Sequence, residues 1–524
     1  MSTIRRQTWL LLNLRTRTNR VFQEPGLEIS FVAMENAITT MSGHSALLTG
    51  IFLLSTACAA SESTAQAVKA EAKIRQPNVL FIAVDDLNDW VGCLGGHPQA
   101  KTPNIDRLAE QGVLFEQAYG AAPLCSPSRT SLMMGLQPWT TGIYGNRNWF
   151  RDIPQFADWQ TIPQYFRKHG YTAVTGGKIY HQARGTFSDP IAWDEQYSTQ
   201  MGTPFPPADK RYRHGMHDLF DNKILARLID WGPIKQSTEQ TNDWKTADKA
   251  AQILQQRHDQ PFFLACGIYH PHLPWYAPKK YFDMHPLEDI ELPPSRKDDL
   301  DDIPPGGKRM VGRAVDIVKK QGQWKNAVQG RLASTSFADE CVGHVLNALD
   351  RSPHRDNTIV MLWGDHGYDI GEKKFAKSAL WEQTARTPLI IRVPHGVAGR
   401  CARPVTLVDL YPTLIDLCGL PPRQDLDGRS IAPLVHNSQK DWPFPAVICH
   451  SPDWHGHNHV VRTEQFHYIH YNGGGEELYR CEDDPNQWNN LADDPQYAEV
   501  KAELKKWLPK NTAEHFRSEK EKAE

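Results

Sequence analysis

From Gln76 onward the chain repeats one pattern: a short apolar run, a few polar residues, then a stretch with apolar positions at helical spacing. This alternation predicts an α/β fold, a large mostly parallel sheet flanked by helices. Four of the apolar runs end in polar residues with chemical potential. Asn78 to Val84 (NVLFIAV) runs into Asp85-Asp86, and Tyr171 to Thr175 leads to Gly176-Gly177-Lys178-Ile179-Tyr180-His181. Pro261 to Gly267 (PFFLACG) leads to Tyr269-His270-Pro271-His272, and Thr358 to Trp363 (TIVMLW) leads to Gly364-Asp365-His366-Gly367. Open α/β sheets bind ligands beyond the carboxyl ends of their strands, so these four ends are expected to converge on one place.

Between the runs, Thr102 to Gly112 shows a cap residue, Pro in the first turn, apolar spacing and a terminal Gly, which predicts a helix. Thr161 to Gly170 and Asp243 to Gln255 read the same way, while the Pro-rich spans Asp189 to Lys235 and Pro278 to Gly307 predict loops over the site. After about His436 the pattern shortens. Ala446 to Ile448, His459 to Thr463, Phe466 to Tyr471 and Glu477 to Tyr479, broken by Asn472-Gly473-Gly474-Gly475, predict a small antiparallel sheet, with a final helix from Gln496 to Trp507 packed on it. Three regions follow: a leader over 1–75, disordered or cleaved, an α/β domain with the candidate chemistry over 76–435, and a C-terminal subdomain over 436–524.

Composition narrows the function classes. The 524 residues carry a formal net charge of −3 and no Lys/Arg run, which argues against nucleic-acid binding and against a polybasic membrane patch. An anionic substrate must therefore be met by local charges. The nine cysteines lack CxxC spacing, so neither a zinc knuckle nor a disulfide scaffold is indicated; Cys401 and Cys418 are near neighbours in sequence. Met41 to Ala60 has the layout of a secretory signal, with an apolar core from Ala46 to Leu54 and an Ala57-Cys58-Ala59 cleavage region. It predicts a periplasmic or secreted protein, with lipoprotein anchoring through Cys58 and an untargeted tail as the alternatives. No later run is long enough to form a transmembrane segment.

The segment Pro123 to Gly135 reads PLCSPSRTSLMMG. Ser126 to Met134 predicts a helix, which puts Cys125 at its N-terminus, where backbone N–H groups and the helix dipole favour anions, and Arg129 one turn later on the same face. Cys125-Ser126-Pro127-Ser128-Arg129 resembles the Cys-x-Pro-x-Arg signature of the type I sulfatases, members of the alkaline-phosphatase superfamily. Asn78 to Asp86, Thr102 to Leu108, Gly177 to His181, Pro261 to Pro274, Gly364 to Gly371 and Lys377 to Pro388 are similar to further blocks of that family in the same order. Pro138 to Tyr144 (PWTTGIY) and Thr161 to Gly170 (TIPQYFRKHG) are most similar to its iduronate-2-sulfatase branch. The extension Met133-Met134-Gly135-Leu136 departs from the Leu-Thr-Gly-Arg frequent in the family.

The resemblance implies an alkaline-phosphatase-like fold and hydrolysis of sulfate esters on a sulfated polysaccharide or oligosaccharide. It also implies oxidation of Cys125 to formylglycine by a maturation enzyme. A hydrated aldehyde suits this chemistry because one hydroxyl attacks sulfur and the other expels sulfate as the carbonyl re-forms, which avoids hydrolysing a sulfated side chain. Asp85, Asp86 and Asp365 are hard oxygen ligands for Ca²⁺ or Mg²⁺, and the resemblance adds Cys125 and His366 to the metal site. By the same resemblance Arg129, Lys178 and His181 position the nucleophile, and His272 and Lys377 bind sulfate and protonate the leaving oxygen. His270 reads as a packed histidine or a substrate contact. Trp149, Trp275 and Trp454 are candidates for sugar stacking, and the run from His450 to His459 for a second metal or a rim loop. Two other functions fit the residues: a phosphonate monoester or phosphodiester hydrolase of the same superfamily, and a non-catalytic sulfated-glycan-binding protein with unmodified Cys125.

Overall fold

The computed structural model describes residues 76–202, 211–220, 223–451 and 456–517. The leader, its signal and Cys58 lie outside the described residues, as does Trp454. Strands β1 (Asn78–Val84), β2 (Val113–Tyr119), β3 (Thr172–Gly177), β4 (Glu195–Ser198), β6 (Phe262–Ile268), β8 (Thr358–Gly364), β11 (Arg386–Arg392), β12 (Gly399–Cys401) and β13 (Val405–Thr406) form a nine-stranded sheet. Its order is β12-β2-β11-β8-β1-β6-β3-β4, with β13 also paired to β2. Only β11 runs antiparallel to its neighbours, so the sheet is mostly parallel as the alternating pattern predicts.

The four runs singled out in the sequence are β8, β1, β6 and β3, adjacent and all parallel. Every residue of β1, β6 and β8 is buried, as expected of central parallel strands covered on both faces. Side-chain alternation along β1 sorts two cores. Val79, Phe81 and Ala83 face a cluster with helices α2 (Cys125–Met134), α3 (Ile162–Lys168) and α6 (Leu410–Leu417). Leu80, Ile82 and Val84 face α1 (Pro103–Gln111), α4 (Asn242–Leu254) and the 27-residue α5 (Trp324–Asp350). Each fully buried Phe or Leu here contributes roughly 1.5–3 kcal/mol, enough to fix the register of the central strands.

Register fixes the site. Val84 pairs with Gly364 on one side and Ile268 on the other, and Gly177 pairs with Gly267. The four strands therefore end level, and Asp85, Lys178, the 269–272 turn and Asp365 all emerge at one edge. Gly177 has φ 71°, and a Cβ there would sit 1.9 Å from the Gly267 carbonyl oxygen. A side chain at that position would push β3 off β6 and displace Lys178.

The predicted antiparallel sheet is present as β14 (Ala446–His450), β15 (Asn458–Arg462), β16 (Phe466–His470) and β17 (Glu476–Arg480), and a separate two-stranded ribbon pairs β9 (Asp369–Ile370) with β10 (Phe375–Ala376). Its inner residues Ile448, Val460 and Ile469 join a core with Trp231, Trp275 and Leu273, while Val461, Tyr468 and Leu478 pack on α7 (Ala498–Lys505). The span 189–235 is not wholly irregular. It holds β4 and β5 (Trp231–Ile234), and β5 pairs in parallel with β7 (Trp275–Pro278). These strands are short and interrupted by polar residues, Gly and Pro, so no apolar run announces them.

Candidate active site

Helix α2 starts at Cys125 with no side-chain cap from Leu124. Its first N–H groups are met from elsewhere: the Ser126 N–H donates to Asn146 Oδ1 at 2.9 Å. All ten residues of the helix are buried, and the polar ones are tied into the strand ends. Ser128 Oγ donates to the Asp365 carbonyl at 2.5 Å. The departure at Met133-Met134-Gly135-Leu136 is structural: Gly135 takes φ 70° to end the helix, where a Cβ would meet Leu426 and Tyr411, and the two methionines fill the core.

Arg129 is fully buried, and its donors are spent on protein groups. Nε donates to Asp365 Oδ2 at 2.8 Å, Nη2 to Asp85 Oδ1 at 3.0 Å, and Nη1 to the carbonyls of Lys178 and Ile179 at 2.7 and 2.9 Å. It clamps the ends of β1, β3 and β8 together, so its part is to position the carboxylates. Lys178 Nζ pairs with Asp85 Oδ2. Asp85 is thereby held far below the usual carboxylate range: burial pushes it up, and Lys178 and Arg129 outweigh burial.

Around Cys125 the remaining groups close in. Lys377 Nζ lies 2.9 Å from Sγ and 2.7 Å from Asp86 Oδ1; His366 Nε2 lies 3.3 Å from each of those atoms and 3.6 Å from Asp365 Oδ2. The His366 Nδ1 meets the Gly367 carbonyl at 2.8 Å, which aims Nε2 inward. Burial pushes the His181 ring down from its ordinary value, and its Nδ1 has no hydrogen-bond partner among the described residues. His272 approaches from the other wall, with Nε2 3.9 Å from Asp86 Oδ2. Asp86 itself adopts φ 58°, a conformation costly for a non-glycine residue, and its N–H donates to Asp365 Oδ1 at 2.9 Å.

The cluster fits a hard divalent cation. Asp86, Cys125, Asp365 and His366 offer donor atoms within 4.8 Å of one another, as do Asp85, Asp86 and His272. Asp86 Oδ2 is buried without a hydrogen-bond partner among the described residues. The local field is negative enough to raise its cationic groups: burial opposes charge on His366, yet Asp365 and Cys125 push it up to about 9. Lys377 is likewise raised well above its ordinary value, with burial outweighed by Asp86 and Cys125. Asp86 is common to both sets, and carboxylate oxygens are the donors such an ion prefers.

Every candidate site residue is thus gathered at one sheet edge, while several neighbours are not site groups. His270 is fully buried, its Nδ1 on Asp243 Oδ2 at 2.7 Å and its Nε2 on the Tyr276 carbonyl at 3.1 Å, so both ring nitrogens are spent on packing the loop. Trp149 at 3% exposure and Trp275 at 0% are core residues, with no face left for a sugar. His450 and His459 are buried and pushed down to about 3 by burial, and no described metal-binding group includes them. All eight described cysteines are free, including Cys401 and Cys418.

Sequence reading missed Arg331. This fully buried residue of α5 donates to the Asp86 carbonyl, to Asn88 Oδ1 at 3.0 Å and to the Pro271 carbonyl at 3.0 Å, and so links the turns that carry Asp86 and His272. A charged residue on the buried stripe between Ala327 and Ala338 was the available signal.

The sulfatase family profile matches residues 77–420, and that of the N-sulphoglucosamine sulphohydrolase C-terminal region matches 364–514. A protein named sulfatase from Formosa agariphila is 36% identical over 479 residues, 89% of this chain and 92% of its own. Human iduronate 2-sulfatase is 31% identical over 431 residues, 73% of this chain and 76% of its own. Among solved structures, a phosphonate monoester hydrolase from Silicibacter pomeroyi superposes with a TM-score of 0.68 at 22% identity, covering 82% of this chain and 94% of its own, which establishes the shared fold. With the profile spanning the whole nine-stranded sheet and the Cys125 helix at its edge, the chain belongs to the sulfatase family, enzymes that hydrolyse sulfate esters.

Proposed function

We propose that the protein is a formylglycine-dependent sulfatase acting on a sulfated glycan, with a 2-O-sulfated uronic acid as the first substrate to test. One observation carries the reading: position 125 sits at a helix N-terminus, enclosed by Asp86, Asp365, His366 and Lys377 at hydrogen-bonding or ligand distances. The identity to iduronate 2-sulfatase, at 31–32%, supports the uronate. Human and mouse relatives share that name, and a further structural relative, at 22% identity, is described as a complex with its substrate D-glucosamine-2-N,6-O-disulfate.

Asp85, Asp86, Asp365 and His366 would hold the divalent ion, Ca²⁺ or Mg²⁺, which polarises sulfate oxygens and favours ionisation of the nucleophile. A hydrated aldehyde at position 125 supplies the attacking hydroxyl and a second hydroxyl whose deprotonation releases sulfate. Arg129 holds Asp85 and Asp365 in place, and Lys178 neutralises Asp85. His181, which lies close enough to position 125 to feel its charge, would accept a proton from it. His272 and Lys377 face the opening, with side chains 11% and 16% exposed, and suit charge-assisted contacts to sulfate and proton delivery to the leaving oxygen. Export through the Met41 to Ala60 signal belongs to the same proposal.

The test is the mass of the peptide containing Cys125, from protein coexpressed with a formylglycine-generating enzyme, followed by desulfation assays on a glycan panel. Loss of the thiol mass in favour of the aldehyde, with turnover of sulfate esters exceeding that of aryl phosphonates and phosphodiesters, supports the reading. An intact thiol in an active preparation, or faster phosphonate turnover, overturns it.

A further inference from the structure

A cavity of about 660 Å³ is bordered by Ser451, His457, Glu514, His515, Phe516 and Arg517. Its volume falls within the range of small-molecule sites, roughly 300–1,000 Å³. None of these residues belongs to the cluster around Cys125.

Two walls of the cavity are bonded to the segment that carries Cys125. On one side Cys449, two residues before Ser451, donates its N–H to the Ala121 carbonyl at 2.9 Å. On the other side the loop after Thr141 reaches Ser126 through Asn146, and Tyr144 in that loop stacks on His457 with ring centroids 4.3 Å apart. The cavity is therefore anchored on both flanks of the nucleophile helix start.

The third wall, residues 513–517, is fixed by backbone bonds. Ala513 N–H donates to the Trp139 carbonyl at 2.6 Å and Phe516 N–H to the Gly142 carbonyl at 3.0 Å. Tyr144 Oη donates to the Ala513 carbonyl at 2.9 Å and Asn148 Nδ2 to the Phe516 carbonyl at 2.7 Å. Gly142 makes this docking fit: it has φ 74°, and a Cβ there would lie 2.5 Å from the Glu514 carbonyl oxygen. The segment is thus a built wall.

We propose that this cavity is the subsite for the sugar next to the sulfated one, and that it selects a neighbour bearing an anionic group, a carboxylate or a second sulfate. This rests on the glycan reading above. The lining has the composition of a sugar site, with the Phe516 ring, hydroxyl and imidazole donors and acceptors, and Glu514 to accept from sugar hydroxyls. His457 borders the cavity with its ring stacked on Tyr144, and its Nδ1 has no hydrogen-bond partner among the described residues. Arg517 supplies the charge that prefers an anion. His515 is pushed down to about 4 by burial and by Arg517 and His457, so at neutral pH it contributes hydrogen bonds and Arg517 contributes the positive charge.

The experiment uses the full chain as Cys125→Ser, which binds without turnover, and calorimetry with three sulfated disaccharides: one with a neighbouring uronate, one with that carboxyl reduced, and one with a second sulfate on the neighbour. Expected is Kd weakened at least tenfold by Arg517→Ala for the anionic ligands and unchanged for the reduced one, with His457→Ala weakening all three. The two anionic arms show which acid is preferred. Equal affinities with and without Arg517 overturn the subsite. In parallel, Arg517→Ala in the otherwise unchanged enzyme should raise KM for the anionic disaccharide and leave turnover of a small aryl sulfate as it was. If the enzyme cleaves no sulfate ester yet binding depends on Arg517, the catalytic reading fails and the subsite stands.

Discussion

Arg331→Met separates the energetic and catalytic duties of one buried side chain. The guanidinium is 0% exposed, and burial lowers its pKa to about 10, so it stays charged at neutral pH. Its removal leaves the carbonyls of Asp86 and Pro271 without that donor, at about 1–3 kcal/mol each. Asn88 Oδ1 keeps the Trp90 N–H at 3.3 Å. Against this loss stands the relief of no longer desolvating a cation, worth several kcal/mol. The two nearly offset, so net destabilisation of about 1–3 kcal/mol is expected. With an unfolding entropy of about 2.1 cal/mol/K per residue, a unit of roughly 450 residues loses only about 1–3 °C of Tm. Activity should fall far more, because Asp86 and His272 lose a common anchor and a misplacement on the order of 1 Å costs about 100-fold. The assay pairs a thermal scan with kcat at a temperature where the variant is fully folded. A variant with wild-type kcat, or one whose loss of activity merely follows its unfolding, would refute the anchoring role.

Asp243→Ala removes the acceptor for the His270 N–H, the His270 ring and the Gly202 N–H, and should lower kcat about 10–100-fold through the loop that carries His272; a change in KM alone contradicts this. Chelation should abolish activity and lower Tm, with recovery on adding Ca²⁺ or Mg²⁺, since an ion at 100 times its Kd stabilises by about 2.7 kcal/mol; an unchanged scan and rate argue against a resident metal. Asp339 accepts the Ile105 N–H at 2.8 Å and the Asn104 Nδ2 at 2.8 Å, and burial pushes its carboxyl up to about 6 from 3.8. Because the folded pKa is the higher one, this group's stabilisation is complete below about pH 4 and is lost as pH rises through 6. The change is about 3 kcal/mol. Asp339→Asn should therefore flatten the denaturation free energy against wild type across that window, and parallel profiles would contradict it.

The apolar runs dictate which segments become the central strands, and the residues that follow them dictate the chemistry at the strand ends. Continuous apolar runs such as NVLFIAV have only one favourable place, between two covered faces, and the polar residues that end them must then emerge together. Helix α2, the four-stranded C-terminal sheet and the helix after it were legible for the same local reasons: periodicity, turn residues and a helix start at Cys125. Tertiary structure alone decided the partners of those side chains. Arg129 sits one turn from Cys125 in sequence, yet its donors go to Asp85, Asp365 and two backbone carbonyls, because three strand ends meet around it. Trp149 and Trp275 carry no mark that separates a sugar platform from a core residue, and only packing buries them. Arg331 lies 245 residues from Asp86, and the docking of 513–517 onto Gly142 likewise joins distant segments. Hydrophobic period is a local property that each stretch of chain enforces for itself, whereas a buried polar group is satisfied by whatever the fold brings near it.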